Sequence, residues 1–420
     1  MEENARSVVL FTSVSHAIVH TFELSIPILV VIWLLEFSVS TAMLGLVVAL
    51  GYALFGIGAL PGGVLADRYG SRTLILFCLV GMALSFLLLS VASGIVTIAI
   101  ALAAWGLAAS VYHPSGLSLI STGVENRGTA FAYHGMAGNL GIAFGPLLTA
   151  LLLLNFDWRV VTRLLVVPAV VAVLYALATD FDETAAVSVD GGTDERPSMS
   201  LSGFVADSRA LFTVGFTLAM FVVMMNGLFY RGALTFLPDV LGGLLPPVTE
   251  YARMFDAGSP VAEQFNLASY LYVGLLTVGV GGQYVGGKVS DRVEPTTALA
   301  VVFGSLAVVA VGFVPTARLG MPALVAVSAG LGFLLFALQP LYQATIAEQS
   351  PPDERGLSYG YTYLVSFGIG AAGAAVSGAL LSVFTPATTF GVLAVFPVLG
   401  VGFSLLIGRG GDTQPRADSV

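Results

Sequence analysis

Twelve long apolar runs dominate this sequence of 420 residues, and each is long enough to cross a lipid bilayer. A span needs about 20 mostly apolar residues, because the hydrocarbon layer is about 30 Å thick and a helix rises about 1.5 Å per residue. The runs are 8–35, 41–64, 73–92, 95–121, 128–153, 159–179, 210–237, 266–287, 297–316, 321–346, 356–382 and 386–408. The sequence therefore predicts an all-α membrane protein with twelve transmembrane helices.

Composition excludes several other classes of protein. Apolar residues make up 57% of the chain and charged residues 10%, whereas a soluble domain carries about 25% charged residues. This balance excludes a soluble enzyme, a nucleic-acid-binding protein and a disordered chain. The apolar residues come in long runs and not in short alternating segments, which argues against a transmembrane β-barrel. The single cysteine, Cys78, excludes a disulfide framework and a cysteine-based metal cluster.

Polar segments divide the chain into two halves. The acidic segment 180–208 separates six runs from six runs, so it predicts a cytoplasmic linker between bundles at 1–179 and 209–408. A cytoplasmic tail is expected at 409–420. A second polar insertion, 241–265, separates the seventh run from the eighth.

The distribution of positive charge predicts the orientation. With both chain ends in the cytoplasm, 11 of the 16 basic residues lie on the inner side. These are Arg6, Arg68, Arg72, Arg127, Arg196, Arg209, Lys288, Arg292, Arg355, Arg409 and Arg416. The excess predicts a multi-pass protein of the cell (plasma) membrane with cytoplasmic termini. The acidic composition, with a single lysine, also fits a halophilic source.

Three similarities in register indicate that the halves are copies of one unit. Gly63–Arg68 after the second run matches Gly287–Arg292 after the eighth. His113-Pro114 in the fourth run corresponds to Gln339-Pro340 in the tenth, and Arg127-Gly128 and Arg355-Gly356 open the fifth and eleventh runs. A duplicated six-helix unit predicts two pseudo-symmetric bundles, an arrangement found in secondary transporters.

The loop after the second run has the charge pattern of a candidate conformational latch. Its residues are Gly63, Asp67, Arg68, Gly70 and Arg72, with Asp291 and Arg292 in the second copy. A glycine permits close helix approach, and the charges can pair differently as two halves move. The segment resembles the cytoplasmic signature loop of the major facilitator superfamily. A plain turn, held inside by its positive charge, is the alternative interpretation.

Three further segments resemble the fosmidomycin-resistance-type efflux branch of that superfamily. They are Ser15-His16 in the first run, Tyr112–Gly116 in the fourth, and the fifth run from His134-Gly135 through Gly138, Gly141, Gly145 and Pro146. The resemblance implies export of a drug or metabolite. The glycine ladder resembles the antiporter-associated motif of the superfamily, while helix packing through small residues explains it equally well.

All four histidines lie within the apolar runs, where an ionisable group indicates function by default. His16, His20 and Glu23 follow one stripe of the first helix, while His113 and His134 lie in the fourth and fifth runs. Three interpretations stay open: proton coupling or substrate binding, a zinc site, and hydrogen-bonded struts between helices. We expect no metal, because the sequence has no His-Glu-x-x-His motif.

The second half contributes a smaller polar set to the predicted cavity. Asn226 and Arg231 lie in the seventh run, and Gln339 and Gln343 lie in the tenth. An arginine facing a cavity suits an anionic group or a counter-carboxylate. A snorkelling arginine at the membrane edge is the alternative.

Together these patterns predict a secondary active transporter, not an enzyme, that exports a small organic or drug-like solute in exchange for protons or another ion. Alternating access would move the two bundles against each other. No P-loop is present, so we expect no ATP and no cofactor. An organic-anion uptake symporter and a non-transporting membrane sensor are the alternatives. The expected partners are a small-molecule substrate, a coupling ion and the bilayer, with no nucleic acid, and we expect a monomer.

Overall fold

The computed structural model describes residues 2–125, 127–186, 201–245, 266–350 and 355–411, and every regular element in these ranges is helical. The first half contains Glu3–Glu36 (α1), Thr41–Ile57 (α2), Ala59–Tyr69 (α3), Ser71–Leu89 (α4), Ile95–Ser110 (α5), Tyr112–Gly123 (α6), Arg127–Leu152 (α7), Trp158–Leu164 (α8) and Val166–Ala178 (α9). The second contains Leu201–Leu211 (α10), Val214–Thr235 (α11), Leu237–Leu244 (α12), Leu267–Ser290 (α13), Pro295–Ala317 (α14), Met321–Gln349 (α15), Arg355–Tyr363 (α16), a π-helix at Leu364–Ile369, Ala372–Val383 (α17), Pro386–Leu393 (α18) and Val395–Gly411 (α19).

Eleven stretches of these described helices are long and apolar enough to cross a membrane. Each coincides with one of the predicted runs, so the all-helical membrane class is confirmed. The remaining run, 266–287, forms α13, which has 24 residues but lies outside that set. Its several glycines, Gln283 and Lys288 dilute its apolar character.

Several spans consist of two helices joined by a slight break, and polar caps fix where many of them begin. Ser40 accepts a hydrogen bond from the Met43 N–H at the start of α2, and Asp157 caps α8 through the N–H groups of Arg159 and Val160. Such caps satisfy backbone donors that have no partner within the helix.

The buried apolar residues form two large clusters, one for each half of the chain. In the first half α1 packs against α7, and α5 packs against α2 and α4; in the second half α11 packs against α19, and α15 packs against α13 and α14. A contact repeats with the same geometry: a Cβ built on Gly63 would lie 3.9 Å from Pro114 Cβ, and one on Gly287 would lie 3.9 Å from Pro340 Cβ. The internal repeat of the sequence is therefore also seen in the structure, with equivalent residues in equivalent contacts.

The halves meet most closely at the end where α1 stops, which we call the far end; the end where α1 begins is the near end. Phe236 belongs to the apolar cluster of the first half, and Leu24 and Ile28 belong to that of the second. The Thr41 hydroxyl donates a hydrogen bond to the Gly378 carbonyl over 2.9 Å. Contacts of α2 with α17, and of α1 with α12, therefore close the far end.

The two polar segments of the sequence lie partly outside the described residues. Within the predicted linker, residues 187–200 are outside, and helix α10 begins at Leu201. Residues 246–265 of the second insertion and 412–420 of the predicted tail are outside as well. Residues 180–186 lie against the near end of the first half, where Asn4 donates to the carbonyls of Gly123 and Asp182.

Candidate functional site

A cavity of about 270 Å³ lies between the two halves and is lined by both of them. All nine polar residues that the sequence singled out for a cavity line it: His16, His20, Glu23, His113, His134, Asn226, Arg231, Gln339 and Gln343. Glu23 and Arg231 lie at its deep end. Leu117, Phe131 and Tyr359 line it closer to the near end, so the cavity extends from mid-membrane toward that end.

The glycine ladder of α7 lets the polar stripe of α1 approach the cavity. A Cβ on Gly138 would lie 2.4 Å from Cε1 of His16, and one on Gly141 would lie 2.2 Å from the Ala17 carbonyl oxygen. A Cβ on Gly145 would lie 2.5 Å from Thr21 Cα, and Pro146 continues this helix. The small residues therefore set the distance between α1 and α7, whatever further role they have.

A buried ion pair joins the two halves at the deep end of the cavity. Glu23 of α1 accepts a hydrogen bond from Arg231 of α11, and the two residues are only 2% and 3% exposed. The Arg231 guanidinium also lies over the Tyr52 ring, 3.8 Å from its centroid, and 5.0 Å from that of Phe367. Burial strips both charges of water, so each needs the other and the aromatic faces around it.

A row of histidines continues from this ion pair along α1. His20 Nδ1 lies 2.6 Å from Glu23 Oε2, and His20 Nε2 lies 3.0 Å from His16 Nε2. His16 Nδ1 lies 2.8 Å from the His134 carbonyl oxygen. The Tyr112 hydroxyl donates to the Thr12 carbonyl over 2.5 Å and accepts from His134 Nε2 over 3.1 Å. The charged pair is therefore continuous with a hydrogen-bonded network that crosses three helices.

His113 approaches this row from α6 but is held by ring stacking. Its ring stacks on Tyr363 at 4.6 Å and on Phe55 at 5.8 Å between centroids, and its Nε2 has no hydrogen-bond partner among the described residues. The side-chain nitrogens of His16, His20 and His113 lie within 4.8 Å of one another, near enough for a metal ion. Because His16 and His20 already contact each other, we assign no metal here, and its absence stays a prediction.

The second half gives the cavity an amide and aromatic wall. Gln283 donates to Gln339 over 3.1 Å, while Asn226 and Gln343 line the same wall. The π-helix at Leu364–Ile369 presents Ser366 and Phe367 to the cavity. π-helical turns within α-helices are frequent at functional sites, because the extra residue per turn redirects side chains.

Sequence reasoning missed several residues of this site. Gln283, Tyr52, Tyr363 and Phe367 line or contact the polar cluster, and none was singled out. Gln283 had a usable signal, because it is an amide within the eighth apolar run. Aromatic residues are common throughout membrane helices, so the tyrosines and Phe367 had none.

The candidate latch lies at the near end, and the hydrogen bonds described for its residues lie within the first half. Arg72 donates to the carbonyls of Ala176 and Thr179 at the end of α9, and its backbone N–H donates to Glu183 over 3.2 Å. Gly70, at a φ of 84°, faces the Glu183 carboxylate.

The remaining latch residues differ in how far they are described. The Gly63 contact with Pro114 fits its expected role in close helix approach. The Asp67 side chain lies outside the described part of the structure. The Arg68 guanidinium lies 5.3 Å from the centroid of the Tyr69 ring, and Asp291 and Arg292 follow directly after α13. A latch function for the loop stays a prediction.

The sequence signature of the Major Facilitator Superfamily matches residues 12–374. The chain belongs to this superfamily. Among relatives in Bacillus subtilis (strain 168), the MFS-type transporter YqjV is 29% identical over 205 residues, which are 47% of this chain and 49% of YqjV. The matched part thus spans about half of that relative. YfnC, another MFS-type transporter, is 25% identical over 305 residues, 70% of this chain and 67% of YfnC.

Solved transporters share this facilitator fold at low sequence identity. A bacterial homologue of the human lysosomal transporter Spinster, in an inward-facing and occupied conformation, has a TM-score of 0.75 at 17% identity, covering 99% of this chain and 100% of the other. The nucleoside transporter NupG has a TM-score of 0.72 at 12% identity, covering 97% and 100%. A mutant of the peptide transporter POT, in complex with sulfate, has a TM-score of 0.71 at 13% identity, covering 96% and 95%.

Family and fold together show a multi-pass membrane transporter that is not an enzyme. The facilitator resemblance of the loop after the second span is thereby confirmed at the level of the superfamily. The placement of the chain in the fosmidomycin-resistance branch stays a prediction, and so does the halophilic source.

Proposed function

We propose that this facilitator exports a small organic or drug-like solute across the plasma membrane, driven by protons that enter in exchange. Twelve spans would form two six-helix bundles that rock about the central cavity, with both termini in the cytoplasm. The near end would then face the cytoplasm, and the described conformation would be open inward.

The observation that carries this proposal is the buried pair of Glu23 and Arg231. It is the one ion pair that links the two halves among the described residues, and it lies where the cavity ends and the closed far end begins. Proton binding at Glu23 or at its hydrogen-bonded neighbour His20 changes the charge that faces Arg231, so the energy of a contact between halves depends on proton binding. Such dependence is what couples a proton gradient to rocking.

The cavity has the size and lining for a small, partly polar solute. Its volume of about 270 Å³ lies just below the roughly 300–1,000 Å³ typical of ligand pockets. Amides of Asn226, Gln339 and Gln343 offer both donors and acceptors, and aromatic rings offer flat apolar faces. This lining supports a small organic solute better than a bulky or purely apolar one.

Glu23→Gln tests the proposal directly. Purified protein in liposomes is given a pH gradient and a panel of radiolabelled small solutes. The variant should lose solute accumulation against a gradient by at least about tenfold while solute exchange continues, because exchange needs rocking but no net proton movement. Glu36→Gln, at the far end of the same helix, is the matched control and should accumulate solute as the wild type does. Wild-type accumulation by Glu23→Gln would overturn the proposal.

Arg231 favours one second candidate, a proton-coupled symporter of organic anions. When Glu23 takes a proton, Arg231 loses its partner and can bind an anion in its place, so proton and solute would bind together. In an antiporter they would compete. Solute affinity measured without a gradient separates the two, because acidification strengthens binding in the symporter and weakens it in the exporter.

A further inference from the structure

Three consecutive hydrogen bonds connect His134 of α7 with His16, His20 and Glu23 of α1. They determine how many protons this row of residues holds. They join the His134 carbonyl oxygen to His16 Nδ1 at 2.8 Å, His16 Nε2 to His20 Nε2 at 3.0 Å, and His20 Nδ1 to Glu23 Oε2 at 2.6 Å. Each bond needs one hydrogen between its two heavy atoms. Three hydrogens are therefore required along the row.

Neutral histidines and an ionised carboxylate supply only two of them. A neutral imidazole carries one N–H, and a carboxylate carries none. The carbonyl oxygen can only accept, so the hydrogen of His16 is on Nδ1 and its Nε2 accepts from His20. With its Nε2 hydrogen committed to His16, His20 has no hydrogen left for Glu23. The row therefore requires one further proton, on His16 Nε2, His20 Nδ1 or Glu23 Oε2. The last two positions are favoured because they lie at the carboxylate, where a positive charge is attracted most strongly.

We propose that His20 and Glu23 together hold the transported proton, and that the described conformation is the proton-loaded one. This inference rests on the proposed proton coupling and assigns its carrier. The contact of 2.6 Å between nitrogen and oxygen is short, as is typical of a hydrogen bond assisted by charge. The proton thus belongs to the pair, and His20 is a carrier as much as Glu23.

Several charged and titratable groups face this pair. Arg231 of α11 is the charged neighbour, and it stays protonated. The titratable neighbours are His16 on α1, Tyr52 on α2, Tyr112 and His113 on α6, His134 on α7, Tyr230 on α11 and Tyr272 on α13. With the proton bound, the unit of Arg231, Glu23 and His20 carries a net charge of +1, and without it the unit is neutral.

Release of the proton breaks one bond of the row. If His20 keeps its hydrogen on Nδ1 for Glu23, the Nε2 lone pairs of His16 and His20 face each other over 3.0 Å. His16 cannot turn away easily, because its ring lies against Gly138 and stacks on His134 at 4.0 Å. Relief must come from His20 and Glu23, which are the residues next to the contact with the second half.

Nitrogen NMR of the histidines tests the inference without any transport measurement. The chain has four histidines, and ¹⁵N labelling reports for each ring nitrogen whether it carries a hydrogen. In wild-type protein in bilayers, we expect acidification to add a second hydrogen to His20. His20 would share this hydrogen with Glu23. Proton uptake measured on the same sample should exceed that of the Glu23→Gln variant by one per molecule.

Glu23→Gln gives the sharpest comparison. Its amide oxygen can accept from Arg231 while its NH₂ group donates to His20 Nδ1, so all three bonds form with no extra proton. We expect His20 in this variant to keep a single hydrogen, on Nε2, over the pH range in which the wild type gains its second, and proton uptake to fall by one per molecule. Glu36→Gln, which removes a carboxylate at the far end of the same helix, should take up as many protons as the wild type.

Two results would overturn the inference. One is a wild-type His20 that keeps a single hydrogen at all pH values, with no proton uptake beyond that of Glu23→Gln. The other is metal-shifted nitrogen resonances with stoichiometric zinc in the purified protein. Either could occur while Glu23→Gln still abolishes gradient-driven transport, so failure of this inference and failure of the proposed function are distinguishable.

Discussion

At the scale of single residues, the contact between Glu23 and Arg231 decides how the halves hold together. Removing one partner of a buried ion pair typically costs about 3–5 kcal/mol, because the other charge stays buried without compensation. We expect Arg231→Met to lower the free energy of unfolding by about that much. Adding Glu23→Gln should restore at least about 1 kcal/mol, since the uncompensated carboxylate is gone. Unfolding by detergent titration of the four proteins measures this coupling.

The pair of Arg159 and Glu36 provides the control at this scale. Its atoms are 2.7 Å apart, but the two side chains are 30% and 35% exposed at the far end. Exposed pairs contribute at most about 1 kcal/mol. Equal coupling energies in the two cycles would show that burial does not distinguish the Glu23 pair.

The sequence predicted the residues of the cavity better than their partners. His16, His20 and Glu23 follow from helical spacing alone, and charge inside a span marked Arg231 as a residue that needs a partner. Which carboxylate would meet it could not be predicted, because 208 positions separate Glu23 from Arg231 and only the packing of α1 against α11 brings them together.

At the scale of elements, the contact between α1 and α7 depends on glycines that leave no room for a side chain. A Cβ on Gly141 would lie 2.2 Å from the Ala17 carbonyl oxygen, whereas one on Gly135 in the same helix would meet no atom within 4 Å. We expect Gly141→Ala to destabilise the protein by about 1–3 kcal/mol through overpacking. Gly135→Ala should be neutral or stabilising by about 0.5–1 kcal/mol. Thermal unfolding in detergent compares them, and equal stabilities would refute this account.

Hydropathy predicted the positions of the membrane-spanning helices well, because a chain that crosses lipid must satisfy its backbone hydrogen bonds within helices. It could not anticipate the π-helix at Leu364–Ile369, since its residues are as apolar as those of a regular helix and the extra residue per turn arises from packing. Nor could it anticipate that α10 begins at Leu201, inside the predicted linker, because this short helix carries only moderate apolar character.

At the scale of the whole molecule, the internal repeat predicted the equivalence of the halves but not the state in which they meet. Equivalent contacts at Gly63 and Gly287 show the repeat directly. Whether the cavity extends to the near or the far end depends on how the halves are rotated relative to each other. The same sequence is compatible with both rotations, so it does not predict which one is present. The apolar contacts of Phe236, Leu24 and Ile28 with the opposite half favour closure of the far end here.

The side of the membrane to which the cavity opens depends on the orientation of the chain. The distribution of positive charge predicts this orientation, and single cysteine substitutions can test it. The one native cysteine is the buried Cys78, so a Cys78→Ser background carries no thiol. Asp207 is exposed on the near side in α10, and Leu319, 80% exposed, lies at the far end after α14. With the near end in the cytoplasm, an impermeant maleimide should label Leu319→Cys in intact cells and label Asp207→Cys only after permeabilisation. The reverse pattern would invert the molecule. The cavity with Glu23 at its base would then open outward.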